Sequence, residues 1–284
     1  MKNPRKGPFF DIIFCKQLVL LSIITPCYNP GSWLEKCILN VAQNHLPEIE
    51  HLIIDGGSND GSVEKLTELS HKFPHIRWIS ENDKGQSDAM NKGLALAKGP
   101  WIGFLNVDDY YEAGALSSVL AHIGKNPSGL RLLTGNLNII NENGALISRN
   151  KPDKMSFQAL LADMCEWPYN PSSYFYPAAV HDKIGKLPVD EHFAMDYDFI
   201  LKLMAAGIPI DYQNETWGNF RLLPDAKTGK DQAANQSYKR AEELRKKYTA
   251  EAANSIKIQV GILKIIWAIR NKLLGTGRKL FGIR

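Results

Sequence analysis

Trp101-Ile102-Gly103-Phe104-Leu105-Asn106-Val107-Asp108-Asp109 is a short apolar run that ends in two adjacent carboxylates. Its length and bulky residues predict a strand over Trp101–Asn106, delivering Asp108 and Asp109 into the turn that follows. Three earlier runs have the same form: Gln17–Thr25, Ile49–Asp55 and Ile76–Ser80. Helix-length stretches near Trp33–Gln43, Ser62–Lys72 and Ser87–Lys98 separate the four. Such alternation predicts an α/β fold with a mostly parallel, Rossmann-like central sheet covered by helices on both faces.

Each run ends in polar residues. These are Thr25-Pro26-Cys27-Tyr28-Asn29, Asp55-Gly56-Gly57-Ser58-Asn59-Asp60, Glu81-Asn82-Asp83-Lys84-Gly85 and Asn106-Val107-Asp108-Asp109. In an open parallel sheet all four lie at the carboxyl edge, where ligands bind. One cluster alone is ordinary turn chemistry; four on one edge predict a site.

The residue types suggest what such a site holds. Two neighbouring carboxylates suit Mg²⁺ or Mn²⁺, hard cations that complete their shell with water and phosphate oxygens. An Asp-Asp turn without a ligand is the bland alternative. Asp55 at a strand end can accept an N–H from a heterocyclic base, with Asp60 left to cap the next helix. Ser87 suits a cap for the third helix, and Lys84 could meet a phosphate or simply be solvated. Asp196 and Asp198 open a helical pattern over Asp196–Ala206. Either could be a general base or only a dipole partner. Tyr169–Tyr176 offers rings and hydroxyls to a polar ligand, and Glu166–Pro177, with three prolines, reads as a loop. Leu130–Asn141 and Ala145–Ser148 read as a hairpin. Neither Gly-x-x-x-x-Gly-Lys-Ser/Thr nor Gly-x-Gly-x-x-Gly occurs, so a P-loop and a dinucleotide fingerprint find no support.

Composition divides the chain. Residues 226–284 carry 14 Lys/Arg and 4 Asp/Glu, whereas residues 1–225 carry 20 and 26. A mildly acidic body and a basic end point to an anionic partner for that end. In Ser255–Arg284, Lys257, Lys264, Asn271 and Arg278 share one helix face, while Ile258, Ile262, Ile265, Ile266, Ile269, Leu273 and Trp267 fill much of the rest. This pattern suits a helix lying in a membrane interface more than one on nucleic acid. Packing against the body or a partner chain is the alternative. The basic start, Met1–Lys6, precedes an apolar stretch that Asp11 and Lys16 interrupt, and no cleavage signal follows. With Cys15, Cys27, Cys37 and Cys165 forming no C-x-x-C pair, the expectation is a reducing, cytoplasmic setting with peripheral attachment to a membrane's cytosolic face.

With these residues in view, the chain resembles the GT-A type glycosyltransferases of family 2. Ser22–Asn29, Ile49–Ser62, Asp83–Gly85 with Asp88–Gly93, and Phe104–Asp109 are similar to its four ordered motifs, the last to its DXD-type metal motif. The resemblance covers about residues 18–222. It implies a GT-A domain over 1–225, with a nucleotide-sugar half (18–110) and an acceptor half (111–225), followed by a basic helical tail (226–284). The implied activity is inverting transfer of a sugar from a nucleotide-diphospho-sugar, most often a UDP-sugar, to a glycan or lipid-linked acceptor hydroxyl. Carried over by position, Thr25, Tyr28 and Asp55 would hold the base, Asp83 and Asp88 would order the nucleoside loop, and Lys84 would reach phosphate. Asp108 would ligate Mn²⁺ or Mg²⁺ with Asn106 and Asp109 beside it. Asp196 would be the base, with Asp198 second; Arg221, Asn170 and Ser172 would lie toward the acceptor. Two departures stand out: Asn106 begins the DXD-type motif in place of Asp, and Met195 replaces the acid that commonly precedes the base. A non-catalytic nucleotide-sugar-binding protein and a nucleotidyltransferase are the competing readings.

Overall fold

The computed structural model describes residues 18–223 and 235–274, with side chains to residue 270. The basic start, Cys15, Arg278 and the other residues beyond 274 lie outside that range. Four strands form the first half of the sheet: β1 (Leu21–Cys27), β2 (Ile49–Asp55), β3 (Ile76–Ser80) and β4 (Trp101–Phe104). They are parallel in the order β3-β2-β1-β4. All residues of β1, β2 and β4 are buried, as strands covered on both faces must be. The covering helices are α1 (Trp33–Gln43), α2 (Ser62–Lys72) and α3 (Gln86–Leu96). In α1 the buried Leu34, Cys37, Ile38 and Val41 mark one helical face. Gly93 lets α3 lie close on the sheet, because a Cβ there would run into Ile24.

The second half is β5 (Tyr110–Tyr111), α4 (Ala115–Lys125), β6 (Leu132–Ile140), β7 (Leu146–Asn150), α5 (Phe157–Leu161), β8 (Tyr174–Pro177), α6 (His181–Ile184), α7 (Met195–Ala205) and β9 (Ile210–Arg221). The sheet continues from β4 as β8-β6-β9-β5, with β7 paired to β6. β8 is antiparallel to both β4 and β6, whereas β6 and β9 are parallel. The result is a curled, mostly parallel sheet flanked by helices, a GT-A fold.

Three local expectations need correction. Tyr174–Pro177 is a fully buried strand in the middle of the sheet, not loop. Four residues are too few to show a period, and the neighbouring prolines disguise them; Pro171 opens a 3-10 turn over Pro171–Ser173. Ser87 is not the cap of α3. Gly85, at φ 111°, occupies that position, and Ser87 lies inside the first turn. β4 ends at Phe104 rather than Asn106.

Two further helices, α8 (Gln236–Glu251) and α9 (Asn254–Leu274), pack onto the body. Leu244, Tyr248 and Val260 join the core cluster that contains Phe199, Leu201 and Leu203 of α7. The basic residues of α8 find partners in the acidic body: Arg240 Nε lies 2.7 Å from Glu191 and Arg245 Nη1 3.3 Å from Asp163. Part of the charge split is therefore compensated internally. No helix among the described residues is long and apolar enough to cross a membrane.

Candidate active site

The four strand-end clusters are physically tied together. Gly56 N donates to Cys27 O at 2.9 Å, Asn29 N to Ser58 Oγ at 2.7 Å, and Asn59 N to Asn29 Oδ1 at 2.9 Å. Asp60 accepts from Gly31 N and from Ser62 N at the start of α2, joining the first two loops. The third cluster leans on the second: a Cβ on Gly56 would stand 2.5 Å from an oxygen of Asp83. Gln86 Nε2 reaches the fourth, donating to Asn106 Oδ1 at 2.8 Å.

Asp55 organises this edge from within. It is fully buried and accepts from Gly57 N (3.1 Å), Ser58 N (2.9 Å), Ser58 Oγ and Ser80 Oγ (2.6 Å). Burial alone would raise its pKa, but these donors outweigh it and hold the carboxyl below its ordinary value. Thr25 is not brought to the edge; it is fully buried, with Oγ1 at 2.9 Å from His51 Nε2. Tyr28, 64% exposed, does stand there. Asp83 accepts from Gly85 N and Asp88 from Lys84 N, so both carboxylates shape the loop that leads into α3. Lys84 is exposed.

The paired aspartates have different surroundings. Asp109 is buried and accepts from Asn106 Nδ2 (3.0 Å), Asn170 Nδ2 (2.8 Å) and Arg221 N (3.0 Å). Burial and the charge of Asp108 raise its pKa against those donors. Asn170 and Ser172, joined at 2.7 Å, are themselves buried. Through Asn170 this pair is tied to Asp109. Asp108 receives no hydrogen bond or ion pair from another described side chain; burial raises its pKa, and the Arg221 charge opposes this. Arg221 stacks on Trp33 and Tyr110, at 5.0 and 5.5 Å, and its buried Nε has no partner among the described residues.

No cluster of three metal-ligating side chains occurs among the described residues. The donor set nevertheless fits a hard divalent cation that takes most of its ligands from phosphate and water. Asp108 supplies the uncommitted carboxylate, while Asp109 has both oxygens engaged.

Asp196 lies in the first turn of α7, half-buried, with Tyr174 Oη donating to Oδ1 at 3.0 Å. Ser87 Oγ donates to Met195 Sδ at 2.8 Å, so the amino ends of α3 and α7 meet. Two helix N-termini turned to one place favour negative charge there. Asp198 is turned inward. Its oxygens each meet a partner, Lys202 Nζ (2.7 Å) and Tyr248 Oη (3.0 Å). Sequence reasoning missed Gln86, Trp33 and Tyr110 as parts of the site. Only their position beside strand-end loops could have signalled them.

The sheet and its carboxylate-bearing edge define the GT-A class of fold. Residues 22–170 match the family described as Glycosyl transferase family 2, more than half of the chain. The chain belongs to that family. It is similar to a chondroitin synthase of Escherichia coli, with 29% identity over 72% of this chain and 29% of that protein. The chain thus spans under a third of that relative. Among solved structures, S. aureus TarS 1–349 in complex with UDP superposes with a TM-score of 0.63 at 17% identity, covering 84% of this chain and 68% of that one. The mannosyltransferase PcManGT from Pyrobaculum calidifontis, in complex with GDP-Man and Mn²⁺, gives 0.56 at 14%, covering 88% and 80%. At these identities the likeness is one of fold.

Proposed function

We propose that the protein transfers a sugar, with inversion, from a UDP-sugar to a hydroxyl of a glycan or lipid-linked acceptor. The observation that carries this reading is the Ser87–Met195 contact, which brings the α7 turn bearing Asp196 to the edge that bears Asp108. The UDP bound by TarS supports the choice of donor. Tyr28 offers its exposed ring to the base; a base N–H takes the place of one hydroxyl donor on Asp55. Asp83 and Asp88 keep the nucleoside loop in shape, Lys84 and Arg221 attract the diphosphate, and Thr25 acts from behind through β1. Mn²⁺ or Mg²⁺ held by Asp108 would supply Lewis-acid offset of the charge that grows on the leaving diphosphate. Asp196 takes the acceptor proton as that oxygen attacks the anomeric carbon; the bond to the diphosphate breaks and UDP leaves. One displacement inverts the centre.

The outward side of α9 supports a membrane-bound acceptor. Ile258, Ile262, Ile265, Ile266 and Ile269 are exposed there, while Ile256, Val260, Leu263 and Trp267 turn toward the body. Lys257, Lys264 and Arg270 are exposed as well and suit the anionic cytosolic face of a bilayer.

The test is UDP release from a panel of UDP-sugars with Mn²⁺, in native protein and in Asp196→Asn. The variant is expected to bind UDP normally while turnover falls by a factor on the order of 100 or more. Native turnover in Asp196→Asn overturns the reading.

A further inference from the structure

The helix that carries Asp196 has no side-chain cap of its own; its N-cap position is Ala194. The segment that enters the helix is pinned instead by a carboxylate three residues earlier. Glu191 Oε1 accepts from Ala194 N at 3.1 Å and from Phe193 N at 3.3 Å, and its side chain is only 7% exposed. Its other oxygen accepts from Arg240 Nε of α8 at 2.7 Å. Beyond Asp196, the ring of Tyr197 lies under the Arg245 guanidinium at 5.8 Å, and Tyr248 Oη donates to Asp198 Oδ1 at 3.0 Å. Three side chains of α8 thus hold residues on both sides of Asp196. A basic stretch that reads as an appendage lies against the turn on which the chemistry depends.

We infer that α8 belongs to the catalytic apparatus, with Glu191, Arg240 and Tyr248 as positioning residues that set the first turn of α7 and with it Asp196. This rests on the reading of Asp196 as the base. The reacting oxygen must meet a carboxylate within a few tenths of an ångström, and a displacement of about 1 Å costs up to roughly 100-fold in rate. Arg240 is itself half-exposed, so its removal need not open the core.

The experiment uses the full chain with UDP-GlcNAc and Mn²⁺, comparing native protein, Arg240→Met, Arg240→Lys, Tyr248→Phe and Asp196→Asn. UDP release gives kcat and KM, and hydrogen exchange follows the amides of residues 193–198. Arg240→Met is expected to lower kcat roughly 10-fold or more with KM within about twofold, and to speed exchange in that turn. Arg240→Lys, which can still reach Glu191, recovers most of the rate; a purely structural loss would not divide in this way. Tyr248→Phe is milder in the same direction. If native protein releases no UDP, or Asp196→Asn releases it at the native rate, the base reading fails and this inference fails with it. If Asp196→Asn is inactive while Arg240→Met and Tyr248→Phe keep native kcat or native exchange, only the positioning role is overturned.

Discussion

Asp108 and Asp109 are neighbours with opposite obligations. Asp108 is desolvated without a strong partner, so Asp108→Asn should leave the melting temperature unchanged or higher. It should also cut Mn²⁺-assisted UDP uptake on the order of 100-fold, readable by calorimetry and thermal shift side by side. Asp109 holds Asn106, Asn170 and the Arg221 backbone in place. Asp109→Ala leaves three inward-facing donors unmet and should cost about 2–4 kcal/mol in urea unfolding, and Asp109→Asn less, since it keeps one acceptor oxygen. At this scale the residue types were legible: a strand ending in Asn106-Val107-Asp108-Asp109 announces a carboxylate edge. Which oxygens are free was not. That depends on Asn170 and Arg221, 61 and 112 positions away from Asp109, and on the Tyr248 and Lys202 that engage Asp198.

β2 carries an unusual element for a buried parallel strand, a fully buried histidine at its third residue. Burial first, then the nearby imidazoles of His75 and His45, depress the pKa of His51 to about 3; burial and then His45 take His75 to about 4. Below about pH 6.5 the unfolded chain binds protons that the folded strand refuses. The stability these histidines contribute is therefore fully present above that value and is lost as pH drops toward the folded pKa values. Between about pH 7 and about pH 5.5 each histidine should cost about 1.2 kcal/mol. Asp109 contributes with the opposite sign, since its raised pKa makes it take up a proton on folding. Urea titrations of native protein and His51→Leu at the two pH values isolate the histidine: the variant should lose about 1.2 kcal/mol less on acidification, and an equal loss in both would contradict the burial argument. The elements themselves were largely legible. α1, α2, β2 and β3 have the bounds their periodicity predicts, because each carries a full local signal. β8 has none: its four residues are a strand only because β4 and β6 stand on either side.

At the scale of the whole molecule, the charge division resolves into two surfaces. One lies against the acidic body through Arg240 and Arg245, and the other is the outward face of α9. The body's appetite for that basic end was hidden in the sequence, since Glu191 and Asp163 look like solvated acids until α8 covers them. Ile262→Asn with Ile266→Asn should lower co-sedimentation with anionic vesicles roughly tenfold without changing UDP affinity. Added salt at about 0.5 M should weaken the native interaction too. Unchanged sedimentation would remove the membrane from the account. The antiparallel insertion of β8 has a further consequence, for biosynthesis. β1 to β4 and their helices use neighbours in the chain and can assemble as they leave the ribosome. The free side of β4 waits for residues made about 70 positions later, counting from Phe104 to Tyr174. Until then the nascent chain carries an open apolar edge, a template for unwanted pairing, which makes this interval the one in which chaperone protection matters most.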